Sequence, residues 1–115
     1  MNKKTHVECT GFLLPLRDAM DVINGKWKLQ IIISIWAGNK RFREIERSIP
    51  KITTKVLAKE LKDLEEHLLI KRTVYDSSPV LIEYTLLPYA DTLKEVIEAL
   101  TKWGVNHRKI ITDNI

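Results

Sequence analysis

Thr53, Thr54, Lys55 and Lys59 lie within about two helical turns of one another. Two hydroxyls and two ammonium groups at the start of a helix suit contacts to phosphates and to base edges in a DNA major groove. The surrounding sequence supplies that helix. Leu57, Leu61, Leu64 and Leu68 recur at steps of four, three and four, which makes one apolar face. Lys55, Lys59 and Lys62 fall opposite. Thr53 is the expected N-cap, Ile52 and Leu57 can pair across it as a hydrophobic staple, and Pro50 ends whatever precedes. The same pattern describes an ordinary surface helix with a solvated side, so the flanking elements must decide.

Arg41–Ser48 forms a short helix with Phe42, Ile45 and Ile49 on one face. Joined by the Pro50-Lys51 break to the threonine-capped helix, it makes a helix-turn-helix. Residues 70–75 (IKRTVY) and 81–86 (LIEYTL) are rich in β-branched residues and flank the turn Asp76-Ser77-Ser78-Pro79. They predict a hairpin, or wing. Lys26–Ala37 is apolar nearly all round and is expected to be a central helix wrapped by the others. Residues 1–13 lack a period and read as an arm. A helix is expected over Leu14–Ile23, ended by Asn24-Gly25. From Tyr89 to about Ile111 the stripe Leu93, Ile97, Leu100, Gly104, His107, Ile111 predicts a helix on the order of 30 Å long, with Pro88 in its first turn.

The fold class is therefore mainly α with a small β-hairpin. Three segments are expected: an arm (1–13), a winged helix-turn-helix (14–88) and a dimerisation helix (89–115). The long helix carries more apolar surface than a small domain needs, with Leu93, Ile97, Leu100, Trp103 and His107 as candidates for a homodimer interface. A two-fold dimer would place two recognition helices roughly 34 Å apart along one face of double-stranded DNA.

The chain has 115 residues and a formal charge of +4, with 44% hydrophobic and 30% charged residues, as befits a folded single domain. Most of the positive charge precedes Lys62. One cysteine, Cys9, excludes an intrachain disulfide and a cysteine-rich metal site. No apolar leader or membrane-length run is visible, so the expected location is cytoplasmic, with no membrane partner. His6, His67 and His107 are scattered, and no metal-protease, phosphate-loop or nucleophile-elbow motif occurs. Neither an enzyme nor a bound cofactor or metal is expected.

The motifs Gly25-Lys26-Trp27, Gly38-x-x-Arg41-Phe42-x-Glu44-Ile45, Ile49-Pro50-x-Ile52-Thr53-x-Lys55-Val56-Leu57, Leu61-Lys62-x-Leu64-Glu65, Arg72, Glu83-Tyr84-x-Leu86 and Trp103-Gly104 stand in one order. In this the chain resembles the HxlR-type winged helix-turn-helix transcriptional regulators of bacteria, over roughly Leu14–Trp103. The resemblance implies a DNA-binding dimer held by its N- and C-terminal helices. Thr53 and Lys55 are then candidates for phosphate or groove-edge contacts, and Thr54 and Lys59 for base edges. Lys40, Arg41 and Arg72 are candidates for backbone phosphates, and Ser77 for a contact from the wing.

Some relatives sense oxidants, quinones or aldehydes through one N-terminal cysteine, which makes Cys9 a redox-sensing candidate. Lys3, Lys4 and His6 favour its thiolate and Glu8 opposes it. Leu68 stands where the family usually has glycine, Pro79-Val80-Leu81 replaces a wing sequence with arginine, and Leu14 stands where a cysteine is frequent. The alternatives are a winged helix that binds protein, and a small-molecule-responsive regulator without redox sensing.

Overall fold

Three isoleucines of the second helix make the centre of the molecule. Ile31, Ile32 and Ile35 are buried together with Ile45 and Ile49, with Ile52, Leu57, Leu61 and Leu64, and with Leu69 and Ile70. Burying each such side chain contributes about 1.5–3 kcal/mol. The elements around this core, in a computed structural model that describes residues 6–114 and side chains from residue 11 onward, are as follows in chain order. α1 is His6–Ile23, α2 Lys28–Trp36, α3 Phe42–Ser48 and α4 Thr54–Glu66. β1 (Ile70–Tyr75) and β2 (Leu81–Leu86) follow, then a 3-10 segment, Pro88–Leu93, and α5, Lys94–Asp113. The fold is mostly helical, with one two-stranded hairpin.

β1 and β2 begin and end where the β-branched runs do, and pair antiparallel from Ile70–Leu86 to Tyr75–Leu81. The sheet gains a further rung from outside it. The Tyr84 amide donates to the Lys40 carbonyl at 2.7 Å, which fastens the wing to the α2–α3 turn.

α2 departs from the expectation that it is wrapped on all sides. It packs against α3, α4 and β2, which leaves Ile33 45% and Trp36 36% exposed. Lys28 and Ser34 are buried instead. Polar partners make this possible. Lys28 Nζ donates to Glu60 Oε2 at 2.7 Å and to Asp63 Oδ2 at 3.4 Å, joining α2 to α4. Ser34 and Ser48 share a hydroxyl hydrogen bond of 2.6 Å, joining α2 to α3. Burial pulls the Lys28 pKa down, but the hydrogen bond and charge of Glu60, with Asp63 behind them, raise it above its ordinary 10.5. A raised pKa means that the Lys28 contribution is fully present below pH 10.5 and is lost as pH rises through the higher folded value.

Three further boundaries differ from the sequence reading. The expected arm is helical from His6, so α1 crosses the 13/14 boundary unbroken and contains Pro15; residues 1–5 lie outside the described residues. Phe12, Leu13 and Leu14 are contiguous and point around the helix, which hid its period. All three are more than half exposed.

Leu68 does not extend the α4 stripe. It sits beyond the helix at φ 61° and is 66% exposed. The Leu69 amide reaches the Leu64 carbonyl and the Leu68 amide the Glu65 carbonyl, both at 3.1 Å. This is a Schellman closure with leucine in the position that favours glycine, and the left-handed backbone costs about 1–2 kcal/mol. Leu69 then enters the core in its place. The last helix opens as a 3-10 turn from Pro88, with Ala90 tucked into the core and the Thr92 hydroxyl donating to the Tyr89 carbonyl at 2.7 Å.

Replacing Lys28 with methionine leaves the Glu60 carboxylate buried without its partner. The variant should lose about 3–5 kcal/mol in urea unfolding, and adding Glu60→Met should recover most of that loss. A single variant as stable as the parent would show that the pair does not hold α2 to α4.

Candidate nucleic-acid interface

The turn between α3 and α4 is short and strongly determined. Lys51 takes φ 68° directly after Pro50. Thr53 then adopts extended backbone, and its Oγ1 accepts from the Val56 amide at 3.2 Å. Thr53 is thus the N-cap, as its position predicts. Ile52 and Leu57, the staple pair, are both in the core. With Leu57, Leu61, Leu64 and Glu60 facing inward, α4 shows solvent Thr54, Lys55, Ala58, Lys59 and Lys62. Lys59 is 73% exposed, and its Nζ stands 3.8 Å from Glu60 Oε1. At that exposure the pair contributes little.

Thr54 has a partner that the sequence did not suggest. Its hydroxyl donates to Glu46 Oε2 of α3 at 2.5 Å, and the other oxygen of Glu46 lies 3.6 Å from Arg43. Lys40 and Arg41 directly precede α3 with exposed side chains, while their backbone amides donate to Glu44 Oε1 at 3.0 and 3.1 Å. The amides of Arg41 and then Lys40 hold the Glu44 carboxyl below the usual glutamate range, helped by the charges of Arg41 and Arg47.

Arg72 lies in β1 opposite Tyr84 and lines a cleft of about 260 Å³ with Ala58, Leu61, Lys62, Glu65 and Tyr84. The cleft lies between α4 and the wing, so Arg72 and Lys62 share one side of the molecule with the exposed face of α4. Ser77 sits at the far end of the hairpin. Its hydroxyl donates to the Pro79 carbonyl at 2.7 Å and its amide to the Tyr75 carbonyl at 2.9 Å, across a turn with a cis Ser78-Pro79 bond. That hydroxyl proton is engaged within the turn.

The proposed interface stripe is divided. Ile97 is only 8% exposed and belongs to the monomer's own core, with Leu93 packed against it. Leu100 and Trp103 are 50% and 66% exposed, and Trp103 stacks on His107 with ring centroids 4.9 Å apart. Ile110 and Ile111 add to this open surface, while Val105 is exposed on the other side of the helix. α1 presents a second one, Phe12, Leu13, Leu14, Leu16 and Met20. Cys9 falls in the first turn of α1; its side chain lies outside the described residues. Among the described residues, no helix is long and apolar enough to cross a membrane.

A helical core, a tight turn into a capped helix with an open polar face, and a two-stranded wing define a DNA-binding winged helix-turn-helix protein. A family model described as HxlR-like helix-turn-helix matches residues 22–111. The chain belongs to that family, whose members are transcriptional regulators. YtcD of Bacillus subtilis, an uncharacterised HTH-type transcriptional regulator, is 40% identical over 101 residues, covering 88% of this chain and 80% of its own.

A crystal structure of YtcD superposes with a TM-score of 0.74 over 92% of this chain and 99% of the other, at 36% identity. The redox regulator HypR, in its reduced form, gives 0.75 over 86% and 98%, at 33% identity. The reduced form of the transcriptional regulator YodB from B. subtilis gives 0.70 over 78% and 88%, also at 33%.

Thr53→Ala removes the acceptor for the Val56 amide and should lower stability by about 1 kcal/mol, while Thr53→Ser should hold it. Thermal melts of the three proteins check this; equal midpoints for parent and alanine variant would deny Thr53 its capping role.

Proposed function

We propose that this chain is a sequence-specific DNA-binding transcriptional regulator of the cytoplasm, working as a homodimer and binding rather than transforming its ligand. The observation that carries the reading is the division of α4. Its leucines and Glu60 are locked inward, and its threonine-and-lysine face is left open beside Arg72. In this reading Lys55 and Thr53 meet the phosphate backbone or groove edge, Thr54 and Lys59 face base edges, and Lys40, Arg41 and Arg72 neutralise phosphates. Ser77 meets a phosphate from the wing by turning its hydroxyl proton away from the Pro79 carbonyl.

The dimer reading rests on the two uncovered apolar helix faces. The radius of gyration is 17.5 Å and the molecule measures 61 × 39 × 23 Å. A compact domain of this length would have a radius of about 13 Å. Terminal helices that project with large apolar side chains uncovered are suited to a second copy. Leu100, Trp103 and His107 on α5, with Phe12, Leu16 and Met20 on α1, would meet their counterparts there.

A second reading adds regulation through Cys9. It is supported by the likeness to a redox regulator, HypR, and by the place of Cys9 on α1, a helix assigned here to the interface. A change at that thiol would alter how the two copies sit. A wing that docks protein rather than DNA is the competing reading, since Val74 and Val80 are 51% and 60% exposed on the hairpin.

Fluorescence anisotropy with duplex DNA should show log affinity falling steeply with log salt, and Arg72→Ala should reduce the slope by about 1. No binding at low salt would favour the protein-docking reading. In sedimentation equilibrium the parent should run as a dimer, and Leu100→Glu with Trp103→Glu should run as a folded monomer, because neither residue belongs to the monomer core. A parent that runs as a monomer would rule out the paired arrangement. Diamide should release DNA from the parent and not from Cys9→Ser; an identical response in both would remove Cys9 as a sensor.

A further inference from the structure

The hydrogen bond from Thr54 to Glu46 fixes more than a turn. A threonine hydroxyl has one proton to donate and two lone pairs. A carboxylate can only accept, so in this pair the proton belongs to Thr54 and points at Glu46. At 2.5 Å the bond has the length of a charge-assisted one, roughly twice as strong as a neutral bond. Glu46 is itself held in place. Its side chain is 19% exposed, and its second oxygen faces Arg43 at 3.6 Å. Thr54 is exposed at the first residue of α4. What it can offer a ligand is therefore its lone pairs, without its proton.

In a major groove this matters, because base edges differ in sign. Adenine and cytosine carry amino donors there, whereas guanine and thymine present carbonyl acceptors. Phosphate oxygens are acceptors as well. A Thr54 that only accepts is matched to an adenine or cytosine amino group and mismatched to guanine, to thymine and to phosphate.

We propose that Glu46, which need not touch DNA, is a specificity-determining positioning residue: by taking the Thr54 proton it makes Thr54 a reader of amino-bearing bases. This rests on the DNA-binding reading of α4 and assigns the polarity of one contact within it.

The test is selection from randomised duplexes followed by competition titration, with the parent, Glu46→Ala, Glu46→Gln and Thr54→Val. The parent should prefer adenine or cytosine at one position of each half-site by roughly two- to tenfold, the worth of one hydrogen bond. Glu46→Ala frees the hydroxyl to rotate and donate, so the preference at that position should flatten while the others stand. Glu46→Gln keeps an acceptor oxygen and should restore it. Thr54→Val should flatten the same position, and adding Glu46→Ala to it should change nothing more.

Urea midpoints of the four proteins separate a loss of preference from a loss of fold. A Glu46→Ala protein that selects the same bases as the parent at every position overturns the proposal and leaves the regulator reading intact. So does a loss spread evenly over the whole site. A parent that binds no duplex at low salt overturns both.

Discussion

The buried ammonium–carboxylate contact between Lys28 and Glu60 sets the position of α4, the helix that carries the proposed DNA-binding face. In the proposed reading α4 faces DNA with its open side, so it is anchored through the other. Its leucine face fixes distance from the core, but apolar packing tolerates sliding and rotation better than a hydrogen-bonded charge pair does. Lys28 Nζ reaches Glu60 and, more weakly, Asp63, one turn further along the same face. A small axial slip of α4 would strand a buried charge. The Ser34–Ser48 bond plays a smaller part of the same kind between α2 and α3. The two helices of the DNA-binding motif are thus each pinned to α2 by a polar contact within an otherwise apolar core.

Outside that pinned unit the molecule is left open. α1 and α5 display more large apolar side chains than the winged helix-turn-helix does, and Ile97 marks the change: Ala90, Leu93 and Ile97 reach the monomer core, and beyond Ile97 no described residue of α5 is buried. Folding of the winged helix-turn-helix and completion of the terminal helices are separate problems. The core cluster solves the first, and in the proposed homodimer a second copy supplies the surface for the second.

Much of the fold was legible because local signals suffice for it. The hairpin follows from two β-branched runs around a Ser-Pro turn. The start of α4 follows from Thr53 after Pro50, and the burial of Leu57, Leu61 and Leu64 from their spacing. What was not legible depends on partners distant in sequence or on backbone geometry. Lys28 and Glu60 are 32 residues apart, and nothing local distinguishes Lys28 from a solvated lysine. Thr54 is correctly placed on the open face, but its engagement with Glu46 depends on the angle between α3 and α4. Leu68 continues an apolar period that the chain abandons at the helix end. The start of α1 was hidden because no face is selected within one copy.

The Tyr84–Lys40 backbone bond has a mechanical consequence. It welds the hairpin to the corner where the first helix of the motif begins, so the wing cannot swing while that helix stays still. The helix-turn-helix and wing are therefore tied into a single lever arm. In the proposed homodimer an inducer would then act at the fulcrum, changing the spacing of the two winged helix-turn-helix units rather than the shape of either.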